Sequence, residues 1–110
     1  MNQRIMDTIM QNHHFHQFQI SKEDHKIEME NHHYMISIIF YHQAIVEEII
    51  YDKHQQEICF YFHHEHIYDT QTIAYIEEFL DIAYDITSNF LDLKDYKSLN
   101  DSPCYLQNLF

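Results

Sequence analysis

Residues 57–64 read EICFYFHH, and residues 70–92 read TQTIAYIEEFLDIAYDITSNFLD. The change of period between these two runs decides the fold class. In the first, Ile58, Phe60 and Phe62 alternate with Cys59 and Tyr61, the repeat of a strand. In the second, Ile73, Ile76, Leu80, Ala83, Thr87 and Phe90 share one helical face at about 100° per residue. Tyr75, Phe79, Ile82 and Ile86 widen that face sideways, and Asp69 or Thr70 supplies an N-cap. One sheet surface does not need so wide an apolar arc. A second neighbour is implied: an N-terminal helix, the tail, or another subunit.

Upstream of residue 57 the strand pattern continues. Ile27 and Met29 alternate with charged residues, as on an edge strand with one wet face. Asn31-His32 forms the next turn, and residues 34–41 form a second strand rich in Ile and aromatics. Residues 44–51, AIVEEIIY, fit helix or strand, and the β-branched side chains favour strand. Residues 52–56 close a hairpin onto 57–64. The chain has no glycine, so tight primed turns are costly and longer hairpin loops are expected, with Asn or Asp at left-handed positions. Further upstream, Ile5, Met6, Ile9 and Met10 predict a short amphipathic helix. Residues 12–19 read as irregular, anchored by Phe15 and Phe18, and residues 21–24 read as a polar turn.

The predicted architecture is α+β: a short N-terminal helix, an antiparallel sheet of three to four strands, and a long C-terminal helix packed on the sheet. A single domain spans 1–110, with helix and loop at 1–20, sheet at 26–66, helix at 70–92 and tail at 93–110. Both faces of the central strand carry apolar groups, Tyr34, Ile36, Ile38 and Phe40 on one and Met35, Ile39 and Tyr41 on the other. Either the N-terminal helix and tail cover the second face or a homodimer does. In the tail, Tyr105, Leu106, Leu109 and Phe110 are expected to dock.

Charge sets the functional expectation. The net charge is -12. Residues 54–93 carry Glu57, Glu65, Asp69, Glu77, Glu78, Asp81, Asp85 and Asp92, without a Lys or Arg. The abundance of Ile, Asn, Tyr and Phe fits AT-rich coding, which normally supplies many lysines. This chain has only Lys22, Lys26, Lys53, Lys94 and Lys97, so the acidity reads as selected. Such charge opposes binding to nucleic acid and anionic membranes and favours a protein partner with a basic surface. Glu77, Asp81 and Asp85 recur every four residues, about 6 Å apart along a helix, with Glu78 beside them and Asp92 extending the row. Such a row can imitate a phosphate backbone. It can also simply keep a solvated face soluble.

The histidines cluster at 13–16, 32–33 and 63–66. His63, His64 and His66 are candidate zinc or nickel ligands, although their spacing is not diagnostic. On a strand His64 and His66 would share a face and His63 would point away. Without glycine there is no nucleophile elbow, P-loop or dinucleotide fingerprint, so catalysis and a cofactor are not expected. Cys59 reads as a buried hydrophobe, and Cys104 lies in the tail. The N-terminus lacks the uniform apolar core of a signal peptide, and no apolar run is long enough to span a bilayer. The expectation is a small, cytoplasmic, non-enzymatic binding module. The alternatives are a His-rich metal-binding protein and a structural homodimer.

Overall fold

The computed structural model describes residues 3–42, 44–65 and 69–89. Helix α1 (Gln3–Met10) leads through a 3-10 turn at His13–Phe15 into five strands. These are β1 (Gln19–Glu23), β2 (Lys26–Glu30), β3 (Tyr34–Tyr41), β4 (Ala44–Asp52) and β5 (Glu57–His63). A 3-10 turn at Asp69–Gln71 then enters helix α2 (Thr72–Asn89). The fold is α+β, and every strand pairs antiparallel with its neighbour in the order β1-β2-β3-β4-β5.

The sheet has five strands rather than three or four. The additional strand is β1, in the stretch read as irregular and then as a polar turn. Its residues are exposed apart from the half-buried Ile20, so no alternation marks it. Pairing with β2, from Gln19↔Glu30 to Glu23↔Lys26, makes it a strand. The expectation of longer hairpin loops holds at residues 31–33 and 53–56 and is corrected at the other two corners. Glu23 pairs with Lys26 and Tyr41 with Ala44, so two residues turn each of those corners. Among the described residues the left-handed positions are His42 (φ 58°) and Gln56 (φ 56°), not Asn or Asp. Polar side chains support the other turns. Asn31 Oδ1 accepts from the amides of His33 and Tyr34 at 2.9 and 2.7 Å. Asp52 Oδ1 accepts from those of His54 and Gln55 at 2.9 and 3.0 Å.

One core joins the sheet to both helices. Ile27, Met29, Ile36, Ile38, Ile50 and Phe60 meet Ile76, Phe79, Leu80, Ala83 and Ile86 of α2. Ile5 and Ile9 of α1, one turn apart, join the same cluster, and α1 packs against α2. So α1 is the second neighbour that the wide arc of α2 requires. It lies on the α2 side and does not cover the other sheet face. There Met35, Ile39, Ile49, Tyr51 and Tyr61 are half-buried, and Ile58 is 53% exposed. Phe90, Asp92 and the tail with Cys104, Tyr105, Leu106, Leu109 and Phe110 lie outside the described residues. No helix among the described residues is long and apolar enough to cross a membrane.

Two register shifts decide which side chains face inward. Ile39 pairs with Glu47 and Phe40 with Ile45, which leaves Val46 as an extra residue in β4. Without the bulge, Ile45 and Glu48 would lie on opposite faces. With it, Ile45, Glu48 and Ile50 are all buried. In β5, Ile50 pairs with Phe60 and Tyr51 with Ile58, so Cys59 is the extra residue. Cys59 and Phe60 are then both buried while Ile58 faces out, which breaks the alternation read from residues 57–64.

Candidate functional site

Glu77, Glu78, Asp81 and Asp85 are exposed on α2, as the helical period predicted. Asp92 lies outside the described residues. The opposite side of α2 is locked into the core, so the acidic face is held on a rigid element. No Lys or Arg among the described residues comes within ion-pair distance of Glu77, Glu78 or Asp81. The basic side chains that do pair serve the sheet, Lys53 with Glu30 at 2.7 Å and Lys26 with Glu28 at 3.5 Å. The acids separate onto two flanks. Glu77 and Asp81 border a groove against Thr8, Gln11 and Asn12 at the α1 end. Glu78 instead borders a cavity shared with β4 and β5, so it is not the purely solvated position that the helical wheel gave it.

The histidine clusters disperse. His14 stacks on Tyr84 with ring centroids 3.9 Å apart, and His33 stacks on His54 at 4.3 Å. His33 Nε2 also lies 3.3 Å from Asp52 Oδ2. Of the candidate ligands, His63 is exposed opposite Glu47 and His64 is buried against Glu48, so the two do not face one ion. His66 lies outside the described residues. Among the described residues no three His, Cys, Asp or Glu side chains converge to hold a metal.

The feature that the sequence did not disclose is the Glu48–His64 pair. Glu48 Oε1 and His64 Nε2 are in hydrogen-bond contact, with Glu48 3% and His64 7% exposed. The His64 amide donates to the Val46 carbonyl at 2.8 Å, which ties the end of β5 to the bulge that turned Glu48 inward. Glu48 Oε2 is buried without a hydrogen-bond partner among the described residues. Burial pushes the Glu48 carboxyl above the usual range. The hydrogen bond and charge of His64 pull it down, and the negative charge of Glu78 adds to the rise. The pair borders a cavity of about 170 Å³ whose other walls are Phe62, Tyr75, Glu78, Phe79 and Ile82. An ionisable pair beside an unpaired buried oxygen can bind a cation or hold a proton. The signal available in the sequence was Glu48 within a β-branched run, and only the bulge gives it meaning.

No protein family matches the chain, and neither a curated protein nor a solved structure was found to be similar to it.

Proposed function

We propose that this protein is a small non-enzymatic binding module that presents the acidic face of α2 to a basic surface on a partner protein. One observation carries the reading: Glu77, Glu78, Asp81 and Asp85 are exposed together on a helix whose other side is core. Asp92 continues the row in the sequence. A rigid row of carboxylates attracts a basic surface without an ordering cost for the helix itself, and it acts mostly on the association rate. The net charge of -12 opposes binding to nucleic acid. We place the module in the cytoplasm, a compartment in which the Cys59 thiol stays reduced.

The test is capture from the source cell at low salt, with elution at high salt. The variant Glu77→Lys/Asp81→Lys is expected to lose about tenfold or more of the association rate for the captured partner at low salt. Its far-ultraviolet spectrum should match wild type, because both positions are exposed. Equal binding by the folded variant would reduce the face to a solubilising surface.

A second reading, the homodimer, is favoured by the sheet face that α1 and α2 leave open around Met35, Ile49, Tyr51 and Tyr61. Sedimentation equilibrium at micromolar concentration is then expected to give twice the 13.6 kDa chain mass. Replacing Ile49 by Lys should return it to the single mass.

A further inference from the structure

From the cavity beside Glu48 we infer that the basic partner inserts a lysine side chain between α2 and the β4–β5 edge. The inference rests on the acidic-face reading, because Glu78 belongs to both the acidic face and the cavity. The shape fits a lysine. The cavity holds about 170 Å³, and Phe62, Tyr75, Phe79 and Ile82 wall it. For scale, an apolar cavity of about 150 Å³ takes up benzene. A butylammonium group, the lysine side chain itself, has one heavy atom fewer. Its methylenes would lie against the aromatic and aliphatic walls, and its charge would be drawn to the aromatic faces.

The polar groups fit as well. A buried ammonium needs a counter-charge and hydrogen-bond acceptors. Glu48 Oε2 is a buried acceptor without a hydrogen-bond partner among the described residues, and Glu78 is an exposed carboxylate on the same cavity. The arrangement selects an ammonium over a guanidinium. Arginine prefers both oxygens of a carboxylate, and His64 already occupies Glu48 Oε1. An ammonium is a point donor and can use the single remaining oxygen.

Binding should depend on pH. Glu48 is faced by His64 from the end of β5 and by Tyr75 and Glu78 from α2. Its carboxyl holds a proton above the usual range. An entering ammonium displaces that proton to solvent, so binding tightens as pH rises.

The test titrates the full ¹⁵N-labelled chain with n-butylammonium chloride at low salt, with n-butanol and n-propylguanidinium as controls. Saturable shifts are expected at Phe62, His64, Tyr75 and Ile82. Affinity should be weaker at about pH 5.5 than at about pH 8, and Glu48→Gln should weaken it about tenfold. Glu78→Gln, at an exposed site, should weaken it by a smaller factor and provides the test if Glu48→Gln does not fold. The inference is overturned if butanol or propylguanidinium binds as well as butylammonium. Unchanged affinity in the folded glutamine variants would also overturn it, as would shifts that never saturate. None of these failures touches the acidic face itself, which Glu77→Lys/Asp81→Lys tests on the other flank.

Discussion

Phe60→Ala is expected to remove about 3–5 kcal/mol of folding stability, a large share of the roughly 5–15 kcal/mol typical of a domain. Phe60 is fully buried, pairs with Ile50, and has its ring centroid 5.8 Å from that of Phe79. Its neighbours belong to different elements, each held by its own hydrogen bonds, so they cannot close over the hole. Ile58→Ala is the informative comparison. Simple alternation would bury both residues on one face, but Ile58 is 53% exposed, so its truncation should cost less than about 1 kcal/mol. Urea melts of the two variants measure the difference. Equal losses would show that the bulge at Cys59 does not divide them.

The second large effect is expected from His64→Leu. Removing His64 leaves the buried Glu48 carboxyl without its hydrogen-bond partner, and wherever that carboxyl is ionised the loss is about 3 kcal/mol or more, because the lone charge stays desolvated. Here the loss should depend on pH. Burial already holds the native Glu48 carboxyl above its ordinary value of 4.5. The folded state therefore keeps a proton that the unfolded chain releases. This contribution to stability is complete below 4.5 and fades as pH rises through the native value. His64 is what lowers that value, through its hydrogen bond and charge. Without it the native carboxyl moves higher still, and the cost of ionising it in the core grows with pH. The gap between wild type and His64→Leu in urea melts should be smallest near about pH 5 and widest near about pH 8. Adding Glu48→Gln to the His64→Leu variant should recover much of the loss and flatten its pH dependence, since no buried charge then remains. A gap that is the same at every pH would mean that the pair contributes only by packing.

How much of this was legible in the sequence varied by element. Helix α2 was legible because its period is long and strongly amphipathic. Strands β2 to β4 were legible from Ile and aromatic content, and β4 resolved from an ambiguous run into a strand. Strand β1 was not legible, because only Ile20 among its residues is half-buried and the rest face solvent. A strand held by backbone pairing alone leaves no hydrophobic pattern to read. The acidic flank of α2 followed from the helical wheel, except that Glu78 borders the cavity as well as solvent.

By itself the sequence determined the α+β class, the long C-terminal helix and the acidic exposed face. These depend on local period and on charge, which the order of residues contains. Only the tertiary structure decided that Glu48 lies in the core. The deciding event is one extra residue, Val46, in the β3–β4 register. A one-residue slip exchanges the two faces of a strand, and nothing in AIVEEIIY says where the slip falls. Pairing across strands placed it there, and it brought Glu48, His64 and Glu78 to one cavity from three separate parts of the chain.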